Sequence, residues 1–167
     1  MSENALTIRE ASEADLGEIQ RIEDASFGKY DEPYPPELFR GFLWENPSGF
    51  LVAELNGRVA GYCYASRPKR KRVLLAAEEY ESTIYSLAVS PGMRRRGVAK
   101  ALVEEAVRRI RGLGFDSVTL KLQVSVDNLG AQTLYFGLGF LRSGFLQNYY
   151  GRGRDAIEMK LCVRRDG

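Results

Sequence analysis

The stretch that decides the fold runs from residue 86 to residue 100 and reads Ser86-Leu87-Ala88-Val89-Ser90-Pro91-Gly92-Met93-Arg94-Arg95-Arg96-Gly97-Val98-Ala99-Lys100. An apolar strand pattern ends at Val89, a short basic loop follows, and an amphipathic helix pattern begins at Gly97. A helix N-terminus presents unpaired N–H groups and the positive end of the helix dipole, which suits a phosphate group. The stretch therefore predicts a pyrophosphate site that needs no metal ion.

Two other phosphate-binding patterns can be set aside. The Walker A pattern G-x-x-x-x-G-K-[ST] does not occur in the chain. Residues 151–156 satisfy G-x-G-x-x-A, but they precede a strand pattern and not a helix pattern, so they predict a hairpin turn. Taken alone, the basic stretch 94–99 fits a solvated helix start as well as it fits a phosphate site.

The whole chain, residues 1–167, predicts a single domain of mixed α/β class. Asn56-Gly57, between two alternating segments, is a strong hairpin signal. A further short strand is expected between the basic run 67–72 and the acidic run 78–81. The predicted order is β-α-α-β-β-β-α-β-α-β-β, with strands at 6–11, 50–55, 58–65, 83–89, 117–124, 140–149 and 156–163 and helices at 12–26, 36–44, 97–111 and 128–138.

Composition excludes several kinds of chemistry. The chain has no histidine, which removes Ser-His-Asp and Cys-His catalysis and the commonest zinc sites. A net charge of +2 means that nucleic-acid binding would have to rest on local patches. No apolar run approaches the roughly 18 residues that cross a bilayer and no signal peptide is visible, so we expect a cytoplasmic protein without membrane attachment. Cys63 and Cys162 lie in alternating apolar segments, which predicts that both are buried.

Arg94-x-x-Gly97-x-Ala99, together with the element order, resembles the coenzyme A motif of the GCN5-related N-acetyltransferases (GNAT). The resemblance covers nearly the whole chain. It implies a central mixed, mostly antiparallel seven-stranded sheet flanked by about four helices, and acetyl-CoA as acyl donor without a metal. It also implies two sets of backbone contacts: the pantetheine arm on Leu87, Ala88 and Val89, and the pyrophosphate on the amides of Arg94, Arg95, Arg96, Gly97, Val98, Ala99 and Lys100.

Residues 128–140 resemble a second stretch of the same family, N-x-x-A-x-x-L-Y-x-x-x-G-F. The resemblance implies that Asn128 contacts the cofactor and that Tyr135 protonates the departing thiolate. A tyrosine with a pKa near 10 is a reasonable proton donor to a thiol whose pKa is about 8.5. The alternative is that Tyr135 fills the core beside Leu134 and Phe140.

Two segments resemble the ribosomal-protein-alanine (RimI-like) and archaeal N-terminal acetyltransferases. The closing hairpin carries Tyr149-Tyr150 followed by Asp155, and the segment 23–39 between the first two helices carries Phe27 and Tyr34. The resemblance implies that these four aromatic side chains bind the first residues of an acceptor polypeptide. The alternative for Tyr149 and Tyr150 is a cross-strand aromatic pair that covers the sheet.

One departure from that pattern concerns the general base. The relatives carry a glutamate in a stretch like L-E-V-R-x-S-N, where this chain has Gln123 and Ser125. A general base contributes about 10²–10⁴-fold, and a glutamine cannot accept a proton. An α-amine is roughly a tenth neutral at pH 7, against about one lysine in 2,500, so an α-amine suffers less from the loss. Our hypothesis is that Gln123 positions a water, with Glu23 or Asp24 as the base.

The sequence predicts transfer of an acetyl group to the N-terminal α-amine of proteins, with association with the ribosome as one further interaction. A first alternative is an acetyltransferase of small-molecule amines or lysine side chains, in which Asp31, Glu32 and the tyrosines would bind the cation. A second is a non-enzymatic protein that contacts RNA or a ribosome through Arg67, Lys69, Arg70, Lys71 and Arg72. Such a charge run also fits a solvated strand edge.

Overall fold

The computed structural model describes residues 5–28, 32–72 and 78–166. It confirms the mixed α/β class. The helices are α1 Leu16–Ser26, α2 Pro36–Glu45, α3 Val98–Arg111 and α4 Leu129–Gly137. The strands are β1 Leu6–Glu10, β2 Phe50–Leu55, β3 Arg58–Ala65, β4 Lys69–Lys71, β5 Glu79–Val89, β6 Ser117–Ser125, β7 Leu141–Leu146 and β8 Ala156–Arg164.

The strands form one sheet in the order β1-β2-β3-β5-β6-β8-β7, and β4 pairs with the outer part of β5. Every pair is antiparallel except β5 with β6. Within the described residues, this parallel ladder runs only from Glu81–Thr119 to Thr83–Lys121, although both strands continue. The sheet therefore opens between the end of β5 and the end of β6.

Two apolar clusters cover the two faces of the sheet. Helix α3 packs Leu102, Val103 and Ala106 onto one face, because these residues share one side of the helix. Helices α1 and α2 pack on the opposite face of the first half of the sheet, where the rings of Phe39 and Tyr62 meet edge to face. On the side of the sheet that carries α1 and α2, strands β6 and β8 therefore lie beyond these two helices.

Local signals explain several of the boundaries. The β2–β3 turn places Asn56 at φ 54° and Gly57 at φ 76°, the left-handed conformations that a tight hairpin turn needs. Strand β5 starts at Glu79, earlier than the predicted 83, because β4 pairs with its first residues. Strand β7 ends at Leu146, before the predicted 149, because residues 147–150 form a turn. The expected short strand between the charged runs falls partly on 73–77, outside the described residues.

One cysteine differs from the prediction. Cys63 is buried as expected, but Cys162 is exposed. Strand alternation explains the difference, because Met159 and Val163 face the α3 core while Cys162 points to the other side of β8. None of the described helices is both long enough and apolar enough to span a membrane.

Candidate active site

The loop between β5 and α3 has the geometry of an anion site. Arg95 adopts φ 61° and Gly97 adopts φ 77°, and left-handed residues of this kind turn successive backbone N–H groups toward one point. A Cβ on Gly97 would meet no atom within 4 Å, so the space in front of the loop is open. The Gly97 carbonyl accepts the first hydrogen bond of helix α3, from the Ala101 N–H at 3.0 Å. The backbone amides of the helix before Ala101 therefore have no acceptor within the helix. The loop therefore fits a pyrophosphate.

The side chains of this loop divide into three groups. Arg94 braces the loop, since its Nε donates to the Val89 carbonyl at 3.2 Å and its second guanidinium nitrogen lies 3.4 Å from the Ser26 hydroxyl. Val98 is buried in the α3 core, so only its backbone can meet a ligand. The remaining positively charged side chains that face solvent are Arg95, Arg96 and Lys100.

The opening between β5 and β6 lies next to this loop. Leu87 is half-buried, whereas Ala88 and Val89 are buried. On one side β5 bonds to β3, with Cys63 opposite Leu87. On the other side its described ladder with β6 ends at Thr83, so β5 borders the opening at Leu87, Ala88 and Val89 without a strand partner among the described residues, and the Val89 carbonyl accepts the Arg94 side chain. An extended ligand can add to such an edge through main-chain hydrogen bonds.

Helix α4 brings Tyr135 to the same region. Its ring is only 8% exposed and lies 5.7 Å from the ring of Phe140. Burial, and then the neighbouring Cys63 thiol, raises the pKa of Tyr135 above the ordinary value of 10. The phenol thus stays protonated at neutral pH and can donate a proton. Asn128, at the start of α4, caps the helix by accepting the Ala131 N–H at 3.1 Å.

Glu23 lies at the centre of a buried network under α1. Its side chain is 1% exposed and accepts a short hydrogen bond from the Tyr62 hydroxyl and another from the Tyr34 N–H at 2.8 Å. The Ser86 hydroxyl lies 2.7 Å from that of Tyr62 and 3.4 Å from the carboxylate. This carboxylate therefore ties helix α1, the segment before α2 and the sheet together.

Asp24, the other candidate acid, points away from this network. It is exposed and accepts a hydrogen bond from the Gln20 side chain at 2.9 Å. Consecutive residues of a helix face directions about 100° apart, so only Glu23 faces the sheet. Glu23 thus bonds to the sheet and to the segment before α2, and Asp24 bonds within its own helix, whereas Gln123 contacts Tyr149, Tyr150 and Glu158. Asp31, from the small-amine alternative, lies outside the described residues, and Glu32 is exposed.

Phe27 and Tyr34 both pack against the apolar cluster beneath α1 and α2. Both are half-buried. The Tyr34 ring stands edge-on to Phe39, with centroids 6.3 Å apart, and its hydroxyl donates to the Tyr85 carbonyl at 3.1 Å. The segment before α2 thus reaches the point on β5 where the sheet opens.

Tyr149 and Tyr150 of the closing hairpin, which are predicted to bind the acceptor polypeptide, contact Gln123. The Tyr149 hydroxyl donates to the Gln123 side-chain oxygen at 3.4 Å, and the Tyr150 hydroxyl donates to the Gln123 main-chain oxygen at 3.2 Å. The two rings stand edge to face, 4.9 Å apart. The turn after β7 therefore folds across β6 and brings Gln123, Tyr149 and Tyr150 into one cluster.

Two residues that the sequence analysis did not single out belong to this region. Tyr85 is 51% exposed and stacks on Tyr64 at 6.1 Å. The pKa of Tyr149 is raised mainly by burial and then by Tyr85 and Glu158. The side chains of Tyr85 and Glu158 therefore lie near the Tyr149 hydroxyl. Glu158 stands opposite Gln123 in the β6–β8 register. Tyr34, Tyr85 and Tyr149 therefore lie near one another, and we call the surface that they border, between the segment before α2 and the closing hairpin, the acceptor groove.

The basic run on β4 is paired within the chain. Its three strand residues each have an acidic partner, with N–O separations of 3.8 Å for Lys69–Glu45, 3.0 Å for Arg70–Glu78 and 2.8 Å for Lys71–Glu81. A nucleic acid would have to displace these acids to use the three positive charges. The geometry favours a charged edge strand of the sheet.

Sequence and structure comparisons identify the family. Residues 16–140 match the model of the acetyltransferase (GNAT) family. The chain belongs to this family. It is 30% identical to an N-alpha-acetyltransferase of Sulfurisphaera tokodaii, over 91% of this chain and 90% of that protein. Membership in the GNAT family makes the protein an acyltransferase.

Two solved GNAT structures share the fold over nearly the full length. The ribosomal-protein-S18-alanine N-acetyltransferase from Escherichia coli superposes with a TM-score of 0.76 at 27% identity, covering 98% of this chain and 97% of that one. A chain of the NatC complex bound to Gag peptide and CoA gives a TM-score of 0.75 at 26% identity, covering 93% and 97%. The predicted sheet and four helices are thus those of a GNAT enzyme.

Proposed function

We propose that the protein transfers an acetyl group from acetyl-CoA to the N-terminal α-amine of a polypeptide by direct attack in a ternary complex. The observation that carries the proposal is the tyrosine-lined groove that meets the sheet opening at Gln123. Two relatives, one named an N-alpha-acetyltransferase and one named a ribosomal-protein-S18-alanine N-acetyltransferase, support the choice of acceptor.

The proposed binding site for acetyl-CoA consists of the loop before α3 and the opening between β5 and β6. The backbone amides from Arg94 to Lys100 would hold the pyrophosphate, with the positive end of α3 behind them. The edge of β5 at Leu87, Ala88 and Val89, beyond the described ladder with β6, would hold the pantetheine arm, and Asn128 would contact the cofactor from the start of α4. Bound there, acetyl-CoA supplies a thioester whose carbonyl carbon an amine can attack.

Tyr135 would supply the proton that the leaving thiolate needs. Its hydroxyl is kept neutral by burial, and it neighbours Cys63, which stands opposite Leu87 on the strand that borders the opening. A donor with a raised pKa keeps its proton at neutral pH, so the proton is available when the thiolate forms beside it. This position serves proton delivery at the end of the reaction.

The acceptor side is built from tyrosines on both sides of the groove. Tyr34 and Phe27 would contact the first side chain of the polypeptide from the α1–α2 side, and Tyr149 and Tyr150 would contact its backbone from the hairpin. Tyrosine provides a rigid apolar face with a polar tip, which suits a peptide of varied sequence. A ribosome that docked on β4 would compete with the ion pairs of that strand.

The test uses purified protein, acetyl-CoA and a panel of acceptors, with thiol release and acceptor mass as the readouts. The panel contains unblocked peptides that differ in their first residue, the same peptides with a blocked N-terminus and a free lysine, and polyamines. Acetylation restricted to the unblocked peptides supports the proposal. Turnover only with lysine or polyamines would contradict it and favour the small-amine or lysine alternative.

A pair of hairpin variants tests the acceptor groove itself. Tyr149→Ala removes a ring that is 51% exposed and contacts Gln123, whereas Phe145→Ala removes a ring that is 53% exposed in the neighbouring strand β7. We expect Tyr149→Ala to raise the KM for peptide about tenfold, from the loss of roughly 1.4 kcal/mol of binding, while Phe145→Ala leaves it unchanged. Equal effects of the two variants would contradict the assignment of the groove.

A further inference from the structure

The carboxylate missing at position 123 has a counterpart on the neighbouring strand. Glu158 of β8 lies directly opposite Gln123 of β6, and the Gln123 amide nitrogen donates to the Glu158 carboxylate at 3.3 Å. The other end of the same amide accepts the Tyr149 hydroxyl. Glu158 therefore belongs to the cluster that closes the acceptor groove, one strand away from the expected position of the base.

The surroundings of Glu158 leave it reachable from solvent. Its side chain is 21% exposed, and its other oxygen accepts the Ser143 hydroxyl at 3.3 Å and lies 3.5 Å from the Lys160 ammonium. Two more cations on this face, Lys71 and Lys121, are paired with Glu81 at 2.8 and 2.7 Å. Lys160 is thus the cation in direct contact with Glu158 among the described residues.

The position of this pair relative to the opening follows from the register. Gln123 lies two residues beyond Lys121, where the described β5–β6 ladder ends, so it stands at the mouth of the opening. Adjacent strands are about 4.8 Å apart, which sets Glu158 within the reach of one bridging water from an amine at that mouth. Glu23, by contrast, is 1% exposed and bonded to Tyr62 and Tyr34, so it has no comparable access.

We propose that Glu158 is the general base of the reaction, acting through a water held beside Gln123; this inference rests on the proposed function. The acceptor enters as an ammonium ion, and Glu158 takes one proton from it through the water and passes it to solvent. The freed lone pair forms the N–C bond as the C–S bond breaks, and the thiolate takes the Tyr135 hydroxyl proton. The second proton lost by nitrogen restores the phenol through solvent, so one proton is released per transfer.

The test compares Glu158→Gln with the exchanged variant Gln123→Glu/Glu158→Gln, measuring kcat/KM for an unblocked peptide between pH 6 and 9.5. We expect Glu158→Gln to lower kcat/KM about 10²-fold at pH 7. The deficit should shrink to less than about tenfold at pH 9.5, because an α-amine with a pKa of about 7.7–8.0 is then already neutral. The kcat/KM of the exchanged variant should be at least about tenfold higher than that of Glu158→Gln, since the exchange returns a carboxylate to the same water from β6.

A matched control is Glu54→Gln, since Glu54 is also a partly exposed strand glutamate in an ion pair, with Arg9, at the far end of the sheet. It should keep wild-type kinetics, and thermal unfolding should show that all variants are folded. A deficit of Glu158→Gln that is equal at every pH, or that the exchange does not recover, would overturn the proposal, as would a loss of less than about threefold. If the wild-type protein acetylates only a different amine, the proposed function falls, and the same comparison on that amine still tests Glu158.

Discussion

Replacing Glu23 by alanine tests whether this carboxylate is a scaffold for the groove or a base. The change removes the acceptor of the Tyr62 hydroxyl and of the Tyr34 N–H. The Tyr62 side chain is fully buried, so its hydroxyl cannot turn to water, and among the described residues it keeps the neighbouring Ser86 hydroxyl as a partner. The energetic cost therefore comes from one buried and one partly buried donor that lose their acceptor.

The expected magnitude follows from those two donors. Each buried polar group left without its partner costs about 1–3 kcal/mol, so the free energy of unfolding should fall by about 3 kcal/mol. Tyr62→Phe removes one of the donors, and in the double variant part of the penalty disappears. A double-mutant cycle should therefore give a coupling energy of about 1–2 kcal/mol between Glu23 and Tyr62.

Urea unfolding measures both quantities, and Asp24→Ala is the matched control. Asp24 is the next residue of the same helix and is exposed, so its loss should change the free energy of unfolding by less than about 0.5 kcal/mol. Because Glu23 holds the Tyr34 backbone, Glu23→Ala should raise the KM for peptide while kcat changes little. Unchanged stability together with a loss of kcat that depends on pH would refute the scaffold role and make Glu23 the base.

Three further outcomes are expected. Gly97→Ala should destabilise the fold by about 1 kcal/mol, because φ is 77° there, and raise the KM for acetyl-CoA; an unchanged KM would contradict the loop assignment. Tyr135→Phe should lower kcat about 10²-fold at unchanged KM for acetyl-CoA, and since burial raises the pKa of Tyr135, the wild-type kcat should not fall through its ionisation below about pH 10. Burial would raise the pKa of Glu81, yet bonds from Lys121 and Lys71 lower it to about 2, so its contribution to stability is complete above about pH 4.5 and is lost as the pH falls toward 2. Glu81→Gln should therefore reduce stability at pH 7 and flatten the acid dependence of unfolding, and an unchanged acid profile would contradict this ion-pair network.

The features that the sequence predicted well are those with local causes. The hairpin at Asn56-Gly57 follows from two residues that accept positive φ, and helix α3 follows from a 3.6-residue pattern that starts after Gly97. The burial of Glu23 could also have been predicted from the sequence, because Glu23 lies four residues after Ile19 and so on the apolar face of α1. The same argument from strand alternation places Cys162 on the side of β8 that carries Glu158 and Lys160.

The features that the sequence could not supply depend on distant pairings. The contact of Glu158 with Gln123 requires the register of β6 against β8, which a shift of one residue would abolish. The approach of Tyr34 to Tyr85 requires the segment before α2 to pack over β5. Such contacts join residues far apart in the chain, so neither propensity nor periodicity of one segment predicts them.

A peptide that carries both a free N-terminal α-amine and an internal lysine tests N-terminal acetylation most directly. The peptide is incubated with acetyl-CoA and the wild-type protein, and fragment masses locate the acetyl group. We predict acetylation of the α-amine alone, because the groove between Tyr34 and Tyr149 takes a chain end and the α-amine is far more often neutral at pH 7. Acetylation of the lysine with a free α-amine left unmodified would contradict the central claim.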